Sequence, residues 1–290
     1  MNNKNYTSIN DVLKSEFAAK VVKLSLDGGF TCPNRDGLCG TRGCIFCSES
    51  GSGDFAGDRL DSLSSQISSQ IKLLSRKWPK AKYIAYFQNF TNTYDSPENL
   101  RKIYEKAIDH ENVVGLAIAT RPDCLDDEVI ELLGEFNQKT YLWVELGLQS
   151  IHEKTSRLIR RGYDLSVYDQ AMEKLKQNNI KTVVHLILNL PGESKEDMVK
   201  STQYVCQSGA WGLKLQMLNI LKNTDLADFY EANPFPLMDA DEYIALIGEL
   251  LEIIPKEVII HRLTGDGDKN SLIAPQWVIN KRYVLNRING

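Results

Sequence analysis

Seven short, apolar, β-branched-rich runs alternate with stretches of helical spacing along this chain, and that alternation constrains its fold more than any other feature. The runs are VVKLSLD (21–27), KYIAYFQ (82–88), VVGLAIAT (113–120), TYLWVELGLQ (140–149), KTVVHLILNL (181–190), WGLKLQML (211–218) and VIIHRL (258–263). Between them, segments such as SPENLRKIYEKAI, DDEVIELLGEF and DADEYIALIGELLEII carry apolar residues at helical spacing. Several of these segments open on a capping residue: Ser96 before Pro97, Asp126, and Ser194 with Asp197 three residues on. Strand–helix alternation predicts an α/β fold with parallel strands, and near-continuous apolar runs predict strands covered on both faces. A closed or partly closed barrel and an open doubly wound sheet both satisfy this pattern. With 290 residues, 42% of them hydrophobic, the chain can bury one large core or two modest ones. After about residue 222 the rhythm loosens, so the last stretch extends the core rather than continuing it.

Residues 31–57, TCPNRDGLCGTRGCIFCSESGSGDFAG, hold four of the six cysteines in a loop rich in Gly, Asn, Asp and Arg. Such a loop cannot pack itself. The opening MNNKNYTSIN does not read as a signal peptide, and no apolar run approaches the roughly 18 residues of a spanning helix. The expectation is therefore a cytoplasmic protein with no membrane partner. Thiols there stay reduced, and clustered cysteines hold metal or do redox chemistry. Cys44 and Cys47 form a C-x2-C pair; four residues separate Cys39 from Cys44, and eleven separate Cys32 from it. One reading is a structural zinc site with four thiolates. The other puts three thiolates on a 4Fe–4S cluster and leaves one iron without a protein ligand, able to chelate a small molecule. Zinc ribbons usually present two C-x2-C knuckles, and only one is present, yet spacing alone leaves both readings open.

Polar residues gather at the strand ends. The first strand runs into Asp27 and the cysteine loop, the second into Gln88, Asn89, Thr91, Asn92 and Thr93, and the third into Thr120 and Arg121. The fourth carries Glu145 and Gln149, the fifth ends in Asn189 to Glu193, the sixth holds Lys214 and Gln216, and the last closes on Arg262, Thr264 and Asp266. In parallel α/β folds, sites form where the carboxyl ends of the strands open. Cysteines and polar residues are thus expected to face one cavity.

The wording of these blocks carries a resemblance. GFTCPNRDG followed by GCIFC, then YFQNFTNTY (86–94), ATRPDCL (119–125), VELGLQS (144–150), RRGYD (160–164), HLILNLPGE (185–193) and RLTGD (262–266) stand in order along nearly the whole chain. Together they resemble the radical S-adenosylmethionine (SAM) superfamily, and within it the YhcC/YtqA-type group, whose radical SAM domain resembles the catalytic subunit of Elongator. The superfamily's usual spacing is C-x3-C-x2-C, from which this chain departs. The resemblance implies a partial or near-complete (β/α) barrel with a C-terminal extension. Residues 1–222 would form the barrel core with its cysteine loop, and 223–290 would complete the barrel and the substrate side.

It also implies a cofactor set: a 4Fe–4S cluster on Cys32, Cys44 and Cys47, with Cys39 a bystander, and SAM on the open iron. One electron, from a donor such as flavodoxin or ferredoxin, would cleave SAM to methionine and a 5′-deoxyadenosyl radical. Phe46 would border the cluster and the adenine. Gln88, Thr91 and Asn92 fall where many relatives hold the SAM amino group, and here would supply neutral acceptors. Glu145 and Gln149, at a spacing of four on one strand, point to one face and would meet the ribose or methionyl end. Arg161 would pair with the SAM carboxylate, with Arg160 the alternative. His185 and Leu190 lie in the block that borders adenine.

Lys214, Gln216, Arg262 and Asp266 would lie on the substrate side of the mouth; His185, Lys214, Arg262 and Asp266 are the catalytic candidates. Cys124 and Cys206 lack ligand spacing and read as small hydrophobes. By the Elongator resemblance the substrate is a tRNA wobble uridine. The balance of 34 basic against 38 acidic side chains, a formal net charge of −4, speaks against broad electrostatic binding of a polyanion. A local patch remains at the C-terminus, where Lys281, Arg282 and Arg287 flank Tyr283. The alternatives are a radical SAM enzyme acting on a small metabolite and, in another class, a zinc-stabilised binding protein.

Overall fold

The computed structural model of the chain describes residues 5–51, 56–265, 267 and 269–290. Its elements alternate as the sequence predicts: α1 (Ile9–Phe17), β1 (Val21–Leu26), α2 (Leu63–Ser75), β2 (Lys82–Phe87), α3 (Pro97–Ile108), β3 (Val113–Thr120), α4 (Asp127–Lys139), β4 (Tyr141–Gln149), α5 (Glu153–Leu158) and α6 (Leu165–Gln177). They continue with β5 (Lys181–Leu188), α7 (Lys195–Gln207), β6 (Gly212–Met217), β7 (Ile220–Leu221), α8 (Asp225–Ala232), α9 (Ala240–Ile253), β8 (Ile259–Arg262), β9 (Leu272–Ala274) and α10 (Lys281–Ile288). The expected caps are in place. The hydroxyl of Ser96 and the carboxylate of Asp126 accept from the backbone three residues on, and Ser194 with Asp197 closes a reciprocal capping box.

Seven strands pair in parallel in the order β1-β2-β3-β4-β5-β6-β8. They are the seven apolar runs, and they curl into an open half-barrel. The curl brings the two edge strands toward one another, because Val21 and Lys23 of β1 line the same groove as Ile260 and Arg262 of β8. Residues 7 and 8 run beside β8, where the Ile260 N–H donates to the Thr7 carbonyl. The small β7–β9 ladder lies outside the main sheet.

Alternation along the strands separates two apolar layers. Outward residues such as Leu24, Phe87, Leu116, Val144, Leu186 and Leu215 pack beneath the helices. Inward residues Val21, Ile84, Ala117, Trp143, Val183 and Ile259 form a second cluster, closed at the bottom by Ile9 and Leu13 of α1. Two residues further along the same inward parity come Lys23, Tyr86, Glu145, His185 and Lys214. The concave face therefore has an apolar floor and a polar layer above it, nearer the carboxyl ends of the strands.

Candidate functional site

A cavity of about 170 Å³ opens at the carboxyl ends of the strands. Its wall includes Cys32, Cys44 and Cys47, whereas Cys39 is exposed and lines a different cavity beside Arg42, Arg157 and Arg160. Neighbouring polar groups hold the cysteine loop in shape. The Asn34 amide donates to the carbonyls of Arg160 (2.7 Å) and Arg161 (3.1 Å) and to Cys44 Sγ (3.4 Å). This approach needs a glycine at position 162: its φ is +85°, and a Cβ there would stand 2.6 Å from Asn34 Oδ1. Arg35 donates to the Ser48 carbonyl at 2.6 Å. Two blocks far apart in sequence, CPNRDG (32–37) and RRGYD (160–164), thus meet at the loop.

Burial, then the neighbouring Cys47 thiol, pushes the Cys44 thiol up to about 12. A thiol so placed becomes a thiolate only when a cation or cluster supplies compensating charge. Among the described residues, no three His, Cys, Asp or Glu side chains stand where they would hold one metal ion. Thiolates of an iron–sulfur cluster bind different irons and need no single meeting point. Three thiols on one wall, with the fourth turned away, match a cluster with an open iron better than a four-thiolate zinc site.

Two groups at the cavity lack any partner. Thr91 is 1% exposed with its Oγ1 buried and unpaired, and Arg161, equally buried, has an unpaired Nη2. The rest of the Arg161 guanidinium is fixed: Nη1 donates to the Ser150 carbonyl at 2.6 Å and the Leu148 carbonyl at 3.2 Å, and Nε to Tyr163 at 3.1 Å. A buried donor left open on an otherwise clamped guanidinium is positioned for a ligand anion. Arg160, the alternative, instead pairs with Asp225 at the other cavity.

Deeper in the cavity, Glu145 joins five strands. Its carboxylate accepts from Lys23 of β1 (3.0 Å), Tyr86 of β2 (2.7 Å), Trp143 of β4 (2.8 Å) and Lys214 of β6. His185 of β5 lies 3.0 Å from the same carboxylate. Burial alone would raise the Glu145 carboxyl, but Lys214, Lys23 and His185 outweigh it and hold the carboxyl well below its usual range. An ionised carboxylate only accepts, so His185 Nε2 carries the proton. Burial, with Lys214 adding to it, lowers His185 to about 4 and keeps it neutral.

That shift has a sign. The unfolded imidazole takes a proton near 6.5 while the folded one waits until about 4. Stability is therefore complete above pH 6.5 and lost as pH falls toward 4, by up to about 3 kcal/mol from this residue. His185→Gln is expected to flatten the profile of denaturation midpoint against pH in that window; an unchanged slope would show that other groups govern it.

The remaining sequence candidates divide. Phe46, Gln88, Gln149, Gln216 and Arg262 line the cavity. A register shift between Gly147 and Gln149, with Gln149 at φ +63°, turns the end of β4 without losing Gln149 from the wall. Asn92 does not line the cavity: its amide donates to the carbonyls of Phe87 (3.2 Å) and Ala119 (2.7 Å) and ties the loop to the ends of β2 and β3. Leu190 packs with Ile45, Ile159 and Leu218 beneath the cysteine loop rather than lining the cavity. Asp266 lies outside the described residues. Cys206 packs against the main core. The cavity also takes Arg121, as expected from its place at the end of the third strand, and Tyr86 and Phe90, which the sequence reading did not assign. At the C-terminus, Arg287 pairs with Asp241 at 3.4 Å and bonds the Tyr283 hydroxyl at 2.9 Å, so part of that basic patch is neutralised.

Comparison with known proteins follows the same lines. A family model described as the radical SAM superfamily matches residues 37–205, and one described as the radical SAM C-terminal domain matches residues 210–290. The first match begins after Cys32, so the cavity wall is what bears on that cysteine. YtqA of Bacillus subtilis (strain 168) is 45% identical over 99% of this chain and 89% of its own length. YhcC of Escherichia coli (strain K12) is 37% identical over 93% of this chain and 86% of its own. A tRNA uridine(34) acetyltransferase of Methanocaldococcus infernus is 29% identical over 59% of this chain, which is 32% of that protein. The solved structure of the Methanocaldococcus infernus Elp3 superposes with a TM-score of 0.69 at 18% identity, over 92% of this chain and 63% of its own. That likeness is one of fold. The chain spans under two thirds of the Elp3 structure and about a third of the acetyltransferase.

Proposed function

Because this chain belongs to the radical SAM superfamily, we propose that it binds a 4Fe–4S cluster through Cys32, Cys44 and Cys47 and reductively cleaves SAM to modify a tRNA wobble uridine. The observation that carries the reading is the shared cavity: three thiols, an unpaired Arg161 Nη2 and an unpaired Thr91 hydroxyl on one wall, with Cys39 outside it. A bound cluster would supply the electron that breaks the sulfonium C–S bond, releasing methionine and a 5′-deoxyadenosyl radical. The chain's own part is to bind, orient and exclude water. Arg161 offers its open N–H to the SAM carboxylate, and Thr91, with Gln88 beside it, offers oxygen to the amino group. Phe46 covers the cysteine loop and gives the adenine an apolar surface. Glu145, saturated by donors from this chain, serves the site by fixing His185 and Lys214 on the cavity wall.

The tRNA substrate is supported by the acetyltransferase acting on tRNA uridine 34 among the relatives. Acetyl transfer is not part of the proposal, since the chain matches only a third of that protein. We include in it a barrel core over 1–222, an extension over 223–290, a cytoplasmic location and an electron donor of the flavodoxin or ferredoxin kind. No helix among the described residues is long and apolar enough to cross a membrane.

The test is anaerobic reconstitution with iron and sulfide, a count of both, and assay of 5′-deoxyadenosine under reductant, followed by nucleoside profiling of tRNA from a deletion strain. Brown protein that forms 5′-deoxyadenosine, with altered uridine 34 in the strain, is the expected result. Colourless protein that leaves SAM intact would sink the reading.

Thr91 gives a sharper check. Thr91→Val removes a buried hydroxyl that has no partner, so stability should hold or rise slightly. SAM affinity should fall about 5–10-fold, the worth of one hydrogen bond. Calorimetric titration of the reconstituted protein reads the affinity and a thermal melt the stability, and undiminished affinity would remove Thr91 from the SAM site.

A further inference from the structure

The open side of the half-barrel, between β1 and β8, is a groove that meets the central cavity at Tyr86, Lys214 and Arg262, which line both. Among the described residues, five cations line this groove, Lys20, Lys23, Lys214, Arg262 and Lys281, and no Asp or Glu does. In a chain with a formal net charge of −4, that segregation is not what a random surface provides. Glu145 engages both Lys23 and Lys214 from behind.

Polar groups without partners point the same way. Thr264 is 4% exposed with its hydroxyl buried and unpaired, and it lines the groove. His261 lines it too, with both ring nitrogens unpaired. Its ring is wedged edge-on against Trp143 and Trp211, with centroids 5.7 and 5.1 Å away. Burial and the nearby Lys23 ammonium keep His261 neutral, well below its usual value, so one nitrogen is a donor. At the outer end the Trp78 ring, also lining the groove, carries the Lys20 ammonium 5.6 Å from its centroid. Cations flanking an aromatic face are the elements that hold phosphate and base in single-stranded nucleic-acid sites.

We propose that this groove is the seat of the substrate's phosphate groups, from which a nucleotide reaches the cavity past Tyr86 and Lys214. The proposal rests on the reading of the chain as a radical SAM enzyme acting on a nucleic-acid strand, and it gives that reading a second subsite. Lys20 and Lys281 hold phosphate at the outer end, Thr264 and the imidazole N–H of His261 donate further in, and Trp78 offers a stacking face.

The reconstituted holoprotein is titrated with fluorescein-labelled pentauridylate at several salt concentrations, with uridine monophosphate and inorganic pyrophosphate as competitors. Binding of the oligomer should weaken at least about tenfold in Lys20→Glu/Lys281→Glu, and in Lys20→Gln/Lys281→Gln the slope of log K against log salt should fall by about 1.4. Thr264→Val should weaken it a few-fold without lowering Tm. Substrate-free SAM cleavage should be unchanged in all three variants. Groove-dependent binding of pyrophosphate or uridine monophosphate without binding of the oligomer would keep the phosphate seat and assign it to a free nucleotide. Wild-type protein that binds none of the three probes, or charge variants that bind the oligomer as tightly as wild type, would overturn the proposal. Either failure leaves SAM cleavage as measured, and loss of SAM cleavage in the wild type would leave groove binding as measured, so the two readings fail separately.

Discussion

Cys44→Ser protein is expected to leave anaerobic reconstitution nearly colourless and to lose more than a hundredfold of its SAM cleavage, while Cys39→Ser stays brown and active within about twofold. The contrast follows from where the two thiols stand. Cys44 is on the cavity wall with Cys32 and Cys47, its sulfur met by the Asn34 amide and its thiol buried. Substitutions that only support a metal ligand cost about 10–100-fold, so removal of a ligand costs more. Cys39 is exposed and opens on another cavity, and its anchorage is a backbone bond from its N–H to the Pro33 carbonyl at 2.8 Å, which a serine keeps. A zinc site built on all four thiols predicts the opposite: Cys39→Ser and Cys44→Ser would then release metal alike. Cys32→Ser completes the set, because the superfamily's usual spacing is nearer to Cys39 than to Cys32. Iron content in the three variants decides between the sets without any need for the substrate. Equal loss in Cys39→Ser and Cys44→Ser would falsify the three-thiol assignment.

Much of the architecture was legible because the central strands of the main sheet are largely buried on both faces, so their residues read as near-continuous apolar runs. The caps were legible for a local reason, since Ser194 and Asp197 satisfy each other within one turn. The β7–β9 ladder was not, because two- and three-residue strands carry too little pattern to separate from loop. The site divides along the same boundary between local and distant causes. Glu145 stood out as a carboxylate in an apolar strand, and a ligand was the natural explanation of it. Its partners are Lys23, 122 residues earlier, and Lys214, 69 residues later, and only the curl of the sheet brings them to it. A signal did exist for Lys23 and Tyr86. Both fall on the inward parity of their strands, two positions after Val21 and Ile84 of the inner cluster. Asn92 illustrates the converse: its neighbours Thr91 and Gln88 line the cavity, but its amide is spent on two strand-end carbonyls. Neighbours in a loop need not share a direction.

Glu145→Gln should be the most destabilising conservative change in the chain. The carboxylate is wholly buried, and its oxygens serve Lys23, Tyr86, Trp143, His185 and Lys214 together. A glutamine in the same space keeps one acceptor oxygen and turns an NH2 toward groups that are themselves donors. Lys214, 3% exposed and already held well below its usual range by burial, would lose the counter-ion that favours its charged form. Breaking a buried pair from one side costs about 3–5 kcal/mol, which for a chain of this size lowers Tm by roughly 10 °C. The second half of the argument is a cycle. Lys214→Met in the Glu145→Gln background removes the stranded charge, so the double variant should recover part of the loss and be more stable than Glu145→Gln alone. Strict additivity of the two changes would mean that the carboxylate and the ammonium do not act as a unit. The outcome also separates two roles for Glu145. If it is a ligand to SAM, Glu145→Gln lowers SAM affinity with little change in Tm. If it is the hub of the polar layer, the Tm falls first, and activity follows because His185 and Lys214 lose the group that fixes them on the cavity wall.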